Sequence, residues 1–351
     1  MKKQDYRIFI SLMLIAFISL SVNADKWRVN NTGGIDADYT NLQTAINNAA
    51  HGDTIYVEPS STSYGDITIN DKITLIGPGY FITENPETQA NPGSAIVDLV
   101  TINGGGDTTL ITGMTINETL QLYSYITSAN SLNNVIITRN KIFRIYFNNY
   151  STSGGANNLF LQNYIYNSTS SLYTIDIEAY FDNTLFQNNF IANTYSSYFN
   201  CIDVDPASAV SFTNNVISGD VLNAPTTIFE NNIFIDATMS DISSPGSFSY
   251  NITNLDILPA GNNNDVIADL TTIFDETCPT CSSTDGQYQI DTLSAAATHA
   301  TDGGQCGMFG GTDPYVLSGI PAVPAIFYFQ SPSSGSAATG LPVTIRIKSH
   351  K

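Results

Sequence analysis

Acidic side chains recur at alternating positions in three short segments, TIDIE, CIDVD and SGDVL. They are Asp176 and Glu178, Asp203 and Asp205, and Asp220. In a strand, alternate residues share one face, so each pair of acids points the same way. Such a face suits Ca²⁺, which takes about 6–8 oxygen ligands. It also suits an acid/base pair for glycosidic cleavage, whose carboxyls are about 5–9.5 Å apart.

Two earlier segments, TLQLY (119–123) and RIYFN (144–148), align with these three. Their second and fourth residues are apolar, which predicts a core-facing side, whereas the first, third and fifth residues point outward. The outward residues predicted to bind a sugar are Tyr123, Arg144, Tyr146 and Asn148, because aromatic rings stack on sugar rings and arginine binds carboxylates or hydroxyls. The catalytic candidates are Asp176, Glu178, Asp203, Asp205 and Arg144, and the candidate Ca²⁺ ligands are the five acids. The alternative is that these residues only form the solvated side of the strands.

A repeat explains why these segments should lie side by side. Five segments share an alternating apolar run, an asparagine and a second apolar run: VIITRNKIF, LFLQNYIY, TLFQNNFI, VSFTNNVI and TIFENNIF. Their asparagines are Asn140, Asn163, Asn188, Asn214 and Asn231. An imperfect all-strand repeat with one recurring turn residue predicts a solenoid, and asparagine tolerates the left-handed backbone of a sharp corner. Phe160, Phe186, Phe212 and Phe229 precede the corners and are predicted to stack in the core.

Both ends of a solenoid need covering. Apolar residues at helical spacing predict a capping helix over residues 41–50, with Thr40 and Gln43 as a capping box and Gly52 as its stop. The predicted fold is an all-β, right-handed parallel β-helix over residues 25–320. Residues 321–351 are predicted to form a tail or linker, with one possible last strand at 341–348.

Residues 1–24 have the composition of a secretory signal peptide, with basic residues, a short apolar run and a small residue, Ala24. The mature chain is therefore predicted to be secreted, periplasmic or at the cell surface, without a membrane span. The full chain has 12 basic and 31 acidic residues, a net charge of −19. This charge argues against nucleic acid as a partner.

Four cysteines in an exported chain permit disulfides: Cys201, Cys278, Cys281 and Cys306. Cys278 and Cys281 can close a small loop, and the other pairings stay open.

The two ends of this repeat resemble the pectate-lyase-like right-handed parallel β-helix superfamily. The N-terminal resemblance lies in DYTNLQTAINNAAHGDTIYVEP, followed by DITINDKITLIGPGY. The C-terminal resemblance lies in GQYQIDTLSAAATHATDGGQCGMFGG, which is similar to the closing segment of secreted bacterial β-helix proteins. The two matches bracket residues 38–311 and imply the fold.

The resemblance does not assign an activity, because the superfamily holds lyases, hydrolases, adhesins and proteins with no assigned role. The sequence contains neither the Asp-Asp pair nor the Gly-His-Gly typical of its polygalacturonases. We expect a protein that binds a polysaccharide or cell-surface glycan on an exposed sheet face, with Ca²⁺ as a candidate ligand and no certain cofactor. One alternative is a polysaccharide lyase or glycoside hydrolase acting through the outward carboxylates. The other is a structural or adhesive module without catalysis.

Overall fold

The computed structural model describes residues 24–124, 131–149, 154–169, 172–178, 180–195, 200–222, 226–236, 246–256, 258–338 and 340–349. Residues 1–23 of the predicted signal peptide lie outside these ranges. Within them, no helix combines the length and the apolar character needed to cross a bilayer.

The first sheet has ten parallel strands, one from each coil, hydrogen-bonded in chain order. They are Lys26–Val29, Thr54–Val57, Thr74–Ile76, Leu110–Thr112, Ile136–Thr138, Leu159–Leu161, Thr184–Gln187, Val210–Thr213, Ile228–Glu230 and Ser247–Ser249. Each strand alternates inward apolar and outward mixed residues, as the sequence repeat predicts.

The second sheet has fourteen strands, which form two arms. Two long strands, Thr115–Ser124 and Lys141–Asn149, belong to both arms, because their first and second parts pair with different strands. The first parts of these strands belong to the ladder arm, with Ile96–Val97, Tyr164–Asn167, Phe190–Asn193, Val216–Ser218, Ile233–Ile235, Ile252–Thr253 and Asp265–Val266. Their second parts belong to the acidic arm, with Ile67–Ile69, Val100–Asn103, Ile175–Ile177, Asn200–Val204 and Asp220–Leu222. A further parallel pair joins Gly155–Ala156 to Phe181–Asp182.

Each full coil thus passes from the first sheet through a sharp corner into the ladder arm, then through the acidic arm and back. Sequential coils pair in parallel, and their apolar side chains fill one continuous core. The architecture is the predicted right-handed parallel β-helix.

Phenylalanine rings stack along the core from coil to coil. Phe160, Phe186, Phe212, Phe229 and Phe248 form successive stacked pairs, with ring centroids 4.5, 4.8, 5.0 and 4.7 Å apart. All five are buried. The predicted core stacking is confirmed, and it adds offset-stacked ring contacts to the burial of apolar area.

The corners use two adjacent residues rather than the one that the sequence predicted. The first has a positive φ of about 55–60°, as at Arg139, Gln162 and Asn188. The second is an asparagine whose side chain bonds to a neighbouring coil, and these residues form the asparagine ladder: Asn140, Asn163, Asn189, Asn215, Asn232, Asn251 and Asn264. All of them are buried except Asn264, which is half-buried. The predicted left-handed corner residue is confirmed at Asn188, Asn214 and Asn231. At Asn140 and Asn163 the prediction is wrong by one residue, because the preceding Arg139 and Gln162 have the positive φ.

The N-terminal helix covers the first coil, as predicted, but spans only Leu42–Asn48. Its cap is Asn41, whose side chain accepts a hydrogen bond from the Thr44 amide, so the predicted capping role of Thr40 is wrong. Gln43 instead reaches across to the first coil, where it bonds with both the amide and the carbonyl of Thr68. Short 3₁₀ turns lie at Leu270–Thr272, Ala295–Thr298 and Leu317–Gly319.

After the last ladder-arm strand, the chain turns back along the outside of the corners. Asn188 Nδ2 donates to the carbonyls of Met308 and Gly310, and Arg139 donates to the carbonyl of Ile320. We call residues 306–323 the return segment. Its end is fixed where Asp285 Oδ2 accepts the Ser318 amide at 2.6 Å.

The chain ends in a hairpin of two antiparallel strands, Pro324–Gln330 and Thr344–Ser349, which we call the C-terminal hairpin. It lies beside the first coils, where Lys348 Nζ is 2.6 Å from Glu87 Oε2. The segment predicted as a tail or linker thus packs against the opposite end of the solenoid. The strand predicted at 341–348 overlaps the second strand of this hairpin at residues 344–348 and adds no coil.

Candidate functional site

The acidic arm brings four of the five aligned segments together in the predicted register. Tyr146 pairs with Gln121 on one side and with Asp176 on the other, and Asp176 pairs with Asp203. Asn148 pairs with Tyr123 in the neighbouring row. Alternation along each strand therefore places Tyr146, Asp176 and Asp203 in one row on the outer face.

Asp220 departs from this register. It pairs with Asn200, and Leu222, rather than Asp220, lies opposite Asp203. The cause is an irregularity between Asn200 and Ile202, where one strand carries an extra residue. The alignment that placed Asp220 in the row of Asp176 and Asp203 was therefore wrong, since a bulge leaves no signal in an alternating pattern.

Arg144 organises the centre of the face. Its guanidinium donates to Asp176 Oδ2 at 2.7 Å and, through Nε, to the Tyr173 carbonyl at 3.0 Å. The same guanidinium lies 4.7 Å from the centroid of the Tyr146 ring. The Tyr146 hydroxyl donates to Glu178 Oε1 at 2.7 Å. Two charge-assisted hydrogen bonds thus link the two neighbouring coils, and a cation–π contact joins Arg144 to Tyr146 within one strand, so that all four side chains are fixed.

The carboxyl of Asp176 has a raised pKa. Burial raises it most, the Arg144 cation opposes that shift, and the neighbouring Glu178 raises it further. Burial also raises the pKa of the Tyr173 hydroxyl, with Asp203 and Asp176 adding to the shift. The face is therefore a place where an added negative charge is unfavourable.

The other two predicted sugar-binding residues differ in their solvent exposure. Tyr123 is half-buried beside Gln121 and can present part of its ring to a ligand. Asn148 shares its row, but it is only 4% exposed, so its amide is not accessible on this surface. Tyr173 was missed by sequence reasoning because it precedes the aligned segment, and its contact with Arg144 is made by a backbone carbonyl.

The predicted acids do not form a compact cluster in the described part of the chain. The one set of three or more His, Cys, Asp or Glu ligand atoms found there within 4.8 Å of one another is Asp275, Cys278 and Cys281. Asp176 and Glu178 are held by Arg144 and Tyr146, and Asp205 Oδ1 accepts the Ala207 amide. The calcium site at the acidic arm stays a prediction.

The four cysteines form one disulfide and leave two free thiols. Cys278 and Cys281 form a disulfide, so their sulfurs are not thiolate ligands. Cys201 and Cys306 are free and buried. Burial raises the pKa of the Cys306 thiol to about 12 and that of Cys201 further still. Neither thiol is activated as a nucleophile.

Comparison with known proteins finds remote matches among solved structures, two of which follow. The first is a crystal structure of pectate lyase Pel9A, with a TM-score of 0.44 and 13% identity, covering 83% of this chain and 98% of that chain. The second is the pectin methylesterase from Aspergillus niger, with a TM-score of 0.25 and 12% identity, covering 78% and 92%. No family model and no curated protein matches the chain. At these levels the matches say nothing about activity, and the stacked parallel sheets establish the parallel β-helix fold.

Proposed function

We propose that this protein binds a polysaccharide or cell-surface glycan on the outer face of the acidic arm. The observation that carries the proposal is the fixed group of Arg144, Tyr146, Asp176 and Glu178. The group combines an aromatic ring, a guanidinium and carboxylate acceptors on two neighbouring coils. These groups can stack on a sugar ring and bond to its hydroxyls.

The rigidity of the group supports recognition. Arg144, Tyr146 and Asp176 lie on strands of a solenoid, and Glu178 directly follows one of these strands. Each side chain is tied to a neighbour by a hydrogen bond or an ion pair. A preorganised site loses less conformational entropy when its ligand binds. The surrounding surface adds Tyr123 and Gln121 one coil away, so a chain of sugars has further contacts along the stack.

The negative charge of this face affects which glycans it can bind. Asp176, Glu178, Asp203 and Asp205 outnumber the single Arg144, so a polyanionic glycan is repelled unless a cation is also bound. We therefore expect glycans with few or no negative charges to bind more tightly than polyuronates in the absence of divalent cations.

The test is isothermal titration of the chain 25–351 with neutral and uronate oligosaccharides, using Tyr146→Ala and Arg144→Ala. Each substitution is expected to weaken binding about tenfold, the equivalent of ~1.4 kcal/mol. The chain offers a matched control, because Arg346 stacks on Tyr328 at 4.9 Å on the C-terminal hairpin. Tyr328→Ala should leave this affinity unchanged. Equal affinities in all variants would place the glycan elsewhere.

A second candidate function is cleavage of the bound glycan by an acid/base pair. The raised pKa of Asp176, next to Glu178, favours this candidate, because a general acid must hold its proton near the working pH. Cleavage would release reducing ends or, for a lyase, unsaturated products that absorb in the ultraviolet. Asp176→Asn should abolish that signal, whereas a binding protein without catalysis gives no product with any glycan.

Export is part of the same proposal. A glycan-binding role at the cell surface or in the periplasm fits the signal-like segment at residues 1–24. N-terminal sequencing of the protein recovered from its native cell should start near Asp25. An N-terminus at Met1 would contradict export by cleavage.

A further inference from the structure

A second groove runs along the first sheet, apart from the acidic arm. Its larger part is a cleft of about 830 Å³ between the outer face of the first coils and the C-terminal hairpin. A second cavity of about 330 Å³ continues it, and the two share Ile76 and Val323 in their linings. The larger volume lies within the range of about 300–1,000 Å³ typical of ligand sites.

One residue from each of six consecutive coils forms the floor of the groove. These residues are Tyr56, Ile76, Thr112, Thr138, Leu161 and Gln187. Each pairs directly with the next in the parallel register. Since neighbouring strands lie about 4.8 Å apart, the floor presents side chains at a regular spacing along the solenoid. A regular floor suits a linear ligand with a repeat of its own.

The wall of the cleft is an apolar face of the C-terminal hairpin. Ile326 and Phe329 line the cleft and remain 43% and 57% exposed. Exposed side chains of this size on one small hairpin are unusual unless they contact a ligand or partner. Tyr56 faces them across the cleft, and its hydroxyl has no hydrogen bond to any residue in the described ranges.

The charges lining the cleft balance. They are Lys26 and Arg28 against Asp38 and Glu58, and the Arg28 guanidinium is 2.6 Å from Glu58 Oε1. In a chain with a net charge of −19, this is a locally neutral, partly apolar surface with polar groups at its rim. Charge complementarity therefore favours an uncharged ligand that has both apolar and hydroxyl-bearing faces.

The groove offers a sheet face and not a sheet edge. The six floor strands each pair on both sides, so their main-chain groups are already used. A peptide that binds by strand addition needs a free edge, and this face does not supply one. A sugar chain needs only side chains, since its hydroxyls bond to Thr, Gln and Tyr groups and its apolar faces stack on rings.

We propose that this groove is a second carbohydrate site, which binds a neutral, linear oligosaccharide between the first sheet and the C-terminal hairpin. The site is independent of the one on the acidic arm and shares no residue with it. Because the floor repeats from coil to coil, affinity should rise with the number of sugar units.

The experiment is titration of the chain 25–351 with cellohexaose, xylohexaose, mannohexaose and maltohexaose, followed by the disaccharide of the hexasaccharide that binds. The proposal expects saturable binding of at least one hexasaccharide, at least about tenfold tighter than its disaccharide. Phe329→Ala should weaken that binding about fivefold to tenfold, since the exposed ring supplies stacking contact.

The matched control is Tyr328→Ala, because Tyr328 is adjacent in the same strand and does not line the cleft. It should leave the affinity of the groove unchanged. Tyr56→Phe keeps the ring, so a loss of affinity with a retained melting temperature reports the missing hydroxyl.

Three results would overturn the proposal. One is that no neutral hexasaccharide binds. Another is that binding survives Phe329→Ala and Tyr56→Phe but is lost in Tyr146→Ala, which places the glycan only on the acidic arm. The third is that decanoate or an apolar peptide binds in the cleft while no sugar does. The cleft would then be a site for an apolar ligand.

Discussion

Replacing Asn189 with alanine tests the physical origin of the coil stack. Asn189 is fully buried, and its side chain makes four hydrogen bonds. Its Oδ1 accepts from the amide and side chain of Asn163 at 2.8 and 3.0 Å. Its Nδ2 donates to the Phe160 carbonyl at 2.9 Å and to Asn215 Oδ1 at 3.0 Å. Alanine removes all four bonds and leaves the Asn163 amide buried without this acceptor.

The expected cost follows from those bonds. A typical internal hydrogen bond contributes about 0.5–1.5 kcal/mol net, and an unsatisfied buried group costs about 1–3 kcal/mol. Because the other groups keep second partners, we expect the free energy of unfolding to fall by about 3–5 kcal/mol. Urea denaturation followed by circular dichroism measures this loss.

Two control variants test whether the loss of stability in Asn189→Ala comes from the asparagine ladder. Asn47→Ala, on the exposed side of the N-terminal helix, should change the free energy of unfolding by no more than about 0.5 kcal/mol. Asn188→Gly keeps the positive φ of the corner and removes only the two bonds to the return segment, so it should cost about 1–3 kcal/mol. If Asn189→Ala cost less than Asn188→Gly, the ladder would not be the main polar support of the stack.

Two further predictions concern buried titratable groups. Burial raises the folded pKa of Asp285 above its unfolded value of about 3.9, so between these values the folded state binds more protons and the free energy of unfolding falls as pH rises. Melting temperatures from about pH 4 to about pH 7 should therefore show a more negative slope for the native chain than for Asp285→Asn, and equal slopes would exclude the effect. Because their raised thiol pKa values accompany burial, Cys201 and Cys306 should not react with a thiol reagent until the protein unfolds. Rapid labelling of the native chain would contradict their buried placement.

The stacking of coils could be predicted from the sequence because it rests on short-range patterns. Alternation fixed which of Ile175, Asp176 and Ile177 face inward, and the recurring phenylalanines marked the core. The register of Tyr146, Asp176 and Asp203 followed from the same alternation, and the structure confirms it.

The ladder position was harder to predict because asparagine serves two purposes at each corner. In the pairs Asn188-Asn189 and Asn214-Asn215, either residue fits the repeat. The backbone settles the assignment, since the first has φ of 55° in both pairs and the second bonds to the next coil. At Asn140, Asn163 and Asn251 the preceding corner residue is not asparagine, so the sequence identifies the ladder residue there.

The return segment could not be predicted from local patterns, because its contacts join residues far apart in the chain. Gln162 bonds to the carbonyls of Asp313 and Pro314, and Arg139 bonds to that of Ile320, across separations of 151 to 181 residues. A glutamine or arginine at a corner looks like an ordinary surface residue in the sequence. The groove beside the C-terminal hairpin depends on this path and was missed for the same reason.

The most direct test of the proposed function is a crystal structure of the chain 25–351 soaked with the oligosaccharide that binds most tightly. The account predicts a sugar ring on Tyr146, with its hydroxyls within hydrogen-bond distance of Arg144 or of Glu178. Separate density in the groove beside Phe329 would be the second site and would leave this claim intact. An acidic arm without sugar, in crystals where ligand is bound elsewhere, would contradict it.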